Sequence, residues 1–127
     1  MAKGTYVDGF VIAVPKKNRA KYRKMAEFGK KVWLKYGALD YKECVGDDMH
    51  PNMGGMAALT FPKLAKTKKS EEIWFSFIVY KSKKHRDQVN AKVMKDPLMN
   101  DPKWQDKKMM PFDMKRFSYG GFKVIVG

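Results

Sequence analysis

Two stretches of this chain, YVDGFVIAV at residues 6–14 and IWFSFIVY at residues 73–80, carry apolar side chains at both odd and even positions. Successive side chains of a strand point to opposite faces of its sheet, so each stretch reads as a strand that must be covered on both sides. In the first, Tyr6, Phe10, Ile12 and Val14 share one face and Val7, Val11 and Ala13 the other. In the second, Ile73, Phe75, Phe77 and Val79 oppose Trp74, Ile78 and Tyr80. A fold for this chain has to place both strands centrally and find two layers of covering for them.

The segments between them supply one layer. Pro15 and the turn-forming Asn18 end the first strand, and Tyr22, Met25, Ala26, Gly29, Val32, Trp33 and Tyr36 then recur at three- and four-residue spacing. This stripe predicts an amphipathic helix, capped by Asn18 and closed by Gly37 in a left-handed conformation. ALDYKECVGDD, residues 38–48, alternates as an edge strand does, with Leu39, Tyr41 and Val45 on one side and Asp40, Lys42 and Cys44 on the other. Glu43 falls on its apolar side. Residues 47–70, with Met49, Met53, Met56, Gly54, Gly55, Pro51 and Pro62, are expected to form a flap, because connections of that length in a compact domain usually cover something. Ser82 can cap a second helix whose inner stripe includes Val89, Val93 and Met94 and which Asp96 and Pro97 end. A short helical turn is expected around Trp104. In the closing stretch KRFSYGGFKVIV, Phe117 and Tyr119 are odd while Phe122, Val124 and Val126 are even. A bulge at Gly120 or Gly121 is expected there, bringing all five to one side.

Strand, helix, strand, strand, helix, strand is the split βαβ pattern, predicting an α+β, ferredoxin-like βαββαβ fold: a four-stranded antiparallel sheet with two helices on one face. With 44% hydrophobic and 13% aromatic residues, 127 residues can fill one core, so a single domain over 1–127 is expected without metal or disulfide. Two helices cover only one sheet face. A homodimer, with a second copy packed on the other face, is the economical way to cover the remainder.

Lys and Arg number 27 against 13 Asp and Glu, a net charge of +14. Such a field attracts nucleic acid or acidic ligands. The lysines are spread over almost every segment, without a basic tail or arginine–glycine tract, so a solvated basic surface is favoured over a nucleic-acid groove; the basic first helix, with Lys21, Arg23 and Lys24, is the alternative binding surface for RNA or other anions. No apolar run reaches the roughly 20 residues of a membrane-crossing helix, so no membrane partner is expected. The first residues enter a strand pattern without the zones of a signal peptide, and Cys44 has no partner cysteine, so a cytoplasmic location is expected.

With the pieces in order, YVDGFVIAVP, GALDYKECVGDD, FSFIVYKSKKHRDQVNAKVMKDP and MPFDMKRFSYGGF together resemble the YbaA-like family of small bacterial proteins, a domain of unknown function. The resemblance covers nearly the whole chain in four ordered blocks. That family looks like a member of the dimeric α+β barrel superfamily, in which two ferredoxin-like protomers pack sheet against sheet. The superfamily includes small-molecule monooxygenases, haem-degrading enzymes and pigment peroxidases. The chain departs from the family pattern in its lysine content and in HPNMGGMAAL and PKWQDKKM.

Three polar residues fall on otherwise apolar faces: Asp8, Glu43 and Asn90. Burying them unpaired costs several kcal/mol, so each needs a partner, and Arg116 and Lys115 beside Asp113 are the cations that the family topology brings nearest. A structural network is the plainer reading. As a binding site, Glu43 or Asp8 would be the base or acceptor and Arg116 would hold an anionic group, with Trp74, Phe112 and Tyr119 as walls and Asn90, Met94 and Asp113 beside them. His85, in HRDQVN, is a further candidate base, although that segment lacks the companion motifs of a kinase catalytic loop. DDMH, from Asp47 to His50, has donors for a loose metal site but reads as a turn. With no phosphate-cradling glycine loop, dinucleotide fingerprint, zinc spacing or serine-hydrolase elbow, neither cofactor nor metal is expected. These features together describe a homodimer that binds a small organic molecule between sheet, helices and flap. What the resemblance implies for any catalysis there is cofactor-independent, monooxygenase-like oxygenation or proton transfer; an RNA- or anion-binding module and a noncatalytic structural or stress-associated dimer are the other readings.

Overall fold

The two strands that are apolar on both faces take the centre of the sheet. In the computed structural model, which describes residues 4–52, 54–101 and 110–127, they are β1 (Tyr6–Pro15) and β3 (Glu71–Tyr80). β2 (Asp40–Val45) and β4 (Ser118–Lys123) form the edges, giving the order β2-β3-β1-β4 with every neighbouring pair antiparallel. Helices α1 (Arg19–Lys35) and α3 (Lys83–Met94) fill the two crossovers, and a short helix α2 (Phe61–Leu64) lies within the 47–70 connection. The PKWQDKKM segment at 102–109, with the expected turn at Trp104, and Met53 lie outside the described residues.

The even-numbered face of β1 and β3 is the inner one. There Val32, Tyr41, Ile78, Tyr80, Val89 and Val93 form one buried cluster, and Ile12, Val14, Tyr22, Ala26, Trp74 and Phe112 form another. At α3, Ser82 Oγ accepts from the His85 amide at 3.0 Å, as its cap position predicts, and Gly37 closes α1 with φ +113°. Asn18 does not cap α1 with its side chain. Its Nδ2 donates instead to the Pro111 carbonyl at 3.0 Å, tying the start of α1 to the segment before β4.

β4 corrects the expected bulge. Its register against β1 is unbroken: Val7 faces Phe122, Asp8 faces Gly121, Gly9 faces Gly120 and Phe10 faces Tyr119. The apolar residues of β4 therefore change faces. Tyr119 stacks on Phe10 inside, with ring centroids 4.9 Å apart, while Phe122 lies outside over Gly9. The glycines make room instead of shifting register. A Cβ at Gly121 would collide with the Tyr6 hydroxyl, and one at Gly9 would come within 3.2 Å of Phe122 Cε1.

The outer face carries Val7, Gly9, Val11 and Ala13 on β1 and Ile73, Phe75, Phe77 and Val79 on β3. Ala13 and Ile73 are buried, but Phe75 and Phe122 are 44% and 61% exposed. Phe61 of α2 reaches the edge of this face, its ring centroid 6.4 Å from that of Phe75. Among the described residues no helix is long and apolar enough to cross a membrane.

Candidate functional site

Between the inner face and the two long helices lies a cavity of about 480 Å³. β1 and β3 contribute Phe10, Ile12 and Ile78; α1 contributes Met25, Phe28 and Trp33; Met94, Met99, Phe112, Met114 and Phe117 close it from the carboxyl-terminal half. Met94 and Met114 are largely exposed and mark where the cavity meets the surface. Its wall is aromatic and sulfur-rich, a combination that adapts to flat apolar molecules.

Among the described residues Glu43 is the one charged side chain in that lining. Because β2 alternates, the residue three places after Asp40 points inward with Tyr41, onto the face that α1 covers. Its carboxylate is held by three hydroxyls. Tyr22 donates to Oε2 and Tyr41 to Oε1, each at 2.9 Å, and Ser76 Oγ also donates to Oε2. Burial, and then the charge of Glu43, push both tyrosines well above the ordinary phenol value, so they remain donors. Gly29 of α1 makes the arrangement possible: a Cβ there would lie 2.7 Å from the Tyr41 hydroxyl.

On the far side of Glu43, between α1 and β2, is a more open basin of about 440 Å³ that shares Ala26, Tyr41 and Glu43 with the cavity. Its rim carries Arg19, Arg23, Lys30 and Lys42. Arg19 pairs with Glu72 at 2.6 Å, Arg23 with Glu27 at 3.2 Å and Lys42 with Asp40 at 2.9 Å, so most of this positive charge is already answered.

Asp8 belongs to a separate network. It is 1% exposed and pairs with Arg86 of α3 at 2.8 Å, and Arg86 also donates to Asp87 at 2.8 Å and to the Tyr119 hydroxyl at 3.2 Å. Tyr119 in turn donates to Asp8 Oδ2 at 3.4 Å, and the Arg86 guanidinium sits over the Tyr6 ring. Burial raises the Asp8 carboxyl above the usual carboxylate value, with Arg86 and the neighbouring hydroxyls opposing it.

The remaining candidates take supporting positions. Asn90 Oδ1 accepts from Trp33 Nε1 at 3.1 Å and from the Tyr80 hydroxyl at 3.4 Å, orienting an indole of the cavity wall. Phe112 and Met94 line the cavity, while Trp74 packs against Tyr22 outside it, with centroids 4.8 Å apart. Asp113 accepts from the Lys115 amide at 2.9 Å and caps the 3-10 turn Met114–Arg116. Arg116 faces away from Asp8 and Glu43: it pairs with Glu71 at 2.5 Å and donates to the carbonyls of Ala65 and Lys66. His85 accepts the Lys81 amide through Nδ1 at 3.0 Å, and burial, with Lys81 next, lowers its pKa. Asp48 accepts the His50 amide at 3.2 Å, the turn reading of DDMH. Sequence reasoning marked Glu43 by its parity. It missed Tyr22, Tyr41 and Ser76 as partners of Glu43, since these read as core or strand residues, and Arg86 as the partner of Asp8, since the family topology put Arg116 and Lys115 nearest.

The chain's sequence matches, over residues 5–114, the model of a family described as a protein of unknown function, DUF1428. The chain belongs to the DUF1428 family. It is also 40% identical over 121 residues, 95% of this chain and 97% of the relative, to the uncharacterized protein YbaA of Escherichia coli K12, and equally to that of Shigella flexneri. The DUF1428 match runs from β1 to the first residue of the turn before β4, so Glu43 and the cavity-lining residues named above, apart from Phe117, lie within it.

Proposed function

We propose that this DUF1428 protein works as a homodimer that holds a small, mostly apolar organic molecule in the inner cavity of each protomer, with Glu43 as its polar anchor. The observation that carries this is the cavity itself: apolar walls around one carboxylate that three hydroxyls fix in place. Ligand sites have this composition, a shaped apolar space with few, well-oriented polar groups. Glu43 also stands where a base would take a proton from a bound molecule. That proton transfer would open cofactor-independent, monooxygenase-like oxygenation by dioxygen, and the ligand-binding reading holds without it.

The dimer is supported by the outer face. β1 and β3 place no charged side chain among their outward positions from Val7 to Ala13 and from Ile73 to Val79, and Phe75 and Phe122 are exposed there. Apolar patches of this kind on a sheet are ordinarily covered, and a two-fold axis lets one face cover itself.

A thermal-shift screen of small apolar compounds against the wild type and Ala26→Leu tests the cavity. Ala26 lines it from α1, and the larger side chain would occupy it. Compounds are expected to raise the melting temperature of the wild type and to lose that effect in Ala26→Leu. Equal shifts in both proteins, or none in the wild type, would contradict the proposal.

A further inference from the structure

A carboxylate has about four acceptor positions, two on each oxygen. At Glu43, Oε2 accepts from Tyr22 and Ser76, which fills both of its positions, whereas Oε1 accepts from Tyr41 alone among the described residues. Among the described residues one acceptor position therefore stays open, on a side chain that lines an apolar cavity. Of the polar groups beside Glu43, the Tyr22 and Tyr41 hydroxyls donate to it and Trp33 Nε1 donates to Asn90, while Asn100, an exposed lining residue, donates through Nδ2 to the Asp96 carbonyl at 3.3 Å.

We infer that the ligand is an uncharged, flat, largely apolar molecule carrying a single hydroxyl or N–H donor, which it gives to Glu43 Oε1 while its body lies among Phe10, Phe28, Trp33 and Phe117. This rests on the cavity being the binding site proposed above. An anionic ligand would set like charge against Glu43 in an apolar surrounding. A primary ammonium brings three donors to a place with one free acceptor, and each donor left unmatched costs desolvation. A hydrocarbon would leave the open acceptor unused. One neutral donor matches it.

Equilibrium dialysis at neutral pH with four probes of one ring system decides between these: 2-naphthol, naphthalene, 2-naphthoate and 2-naphthylmethylammonium. The wild type is expected to bind 2-naphthol about tenfold or more tightly than naphthalene, as a hydrogen bond to a charged group implies. It should also bind 2-naphthol more tightly than the ammonium, and 2-naphthoate least of all. In Glu43→Met the naphthol advantage should vanish. Because that change leaves three hydroxyls without their acceptor, Glu43→Gln is measured beside it, with circular dichroism as the check on folding. There the penalty on 2-naphthoate should shrink, since the charge is gone while the shape is kept. Binding of naphthol no tighter than naphthalene, or tightest binding by the naphthoate or the ammonium, would overturn the inference and leave the cavity reading standing. Failure of all four probes to bind the folded wild type would overturn the cavity reading with it.

Discussion

At the residue scale, the site depends on a glycine in the middle of a helix. Glycine there costs about 1 kcal/mol against alanine, so Gly29→Ala in a solvated helix would stabilise. Here a Cβ would press on the Tyr41 hydroxyl at 2.7 Å, where that hydroxyl donates to Glu43. The substitution is expected to destabilise the protein by about 1–3 kcal/mol in urea unfolding, the usual cost of overpacking. The buried pair Asp8–Arg86 makes an asymmetric prediction. Asp8 has a side-chain exposure of 2% against 14% for Arg86, and Arg86 keeps Asp87 as a second partner. Arg86→Leu strands a buried carboxylate and should cost roughly 3–5 kcal/mol. Asp8→Asn, measured in the same way, should cost clearly less.

At the element scale, Arg116 pins the end of the 47–70 connection to the lead-in of β4. It bonds Glu71 and also the carbonyl of Lys66, a non-glycine residue held at φ +53°. Hydrogen bonding by Arg116 holds the Glu71 carboxyl below its ordinary 4.5, and Arg19 does the same for Glu72. A carboxylate with a lowered folded-state pKa contributes stability that is complete above its unfolded value and is lost as pH falls through the folded value. Urea midpoints should therefore drop on acidification below about pH 4.5, and Arg116→Ala should flatten that slope.

The same scale shows what the sequence made legible. Strand identity and centrality followed from parity, because a strand buried on both faces leaves no polar alternation, and β1 and β3 took those places. The closing strand was misread because parity alone cannot separate a bulge from a strand whose apolar residues change faces. That distinction lay in the Tyr6 hydroxyl over Gly121 and the Phe122 ring over Gly9, contacts between residues more than a hundred positions apart. Glu43 was visible as a polar residue on an apolar face. Its hydroxyl partners were not: Tyr22 and Ser76 come from α1 and β3 and meet Glu43 only after packing, and Tyr41, two places along β2, read as an apolar-face residue.

At the scale of the whole molecule, the inner face of the sheet encloses a space, and the outer face, with Phe75 and Phe122 exposed, is the one that the proposed dimer would cover. Phe75→Glu with Phe122→Glu places charge on the exposed outer face without touching the cavity. Sedimentation velocity at micromolar concentration should show a dimer for the wild type and a monomer for this double variant. The claim most open to direct test is that the inner cavity carries a guest. Native mass spectrometry of protein purified without denaturation should find the mass of an organic molecule on each chain, absent from Ala26→Leu. Bare chains after incubation with the wild type's best thermal-shift compounds, or the same added mass on both proteins, would contradict it.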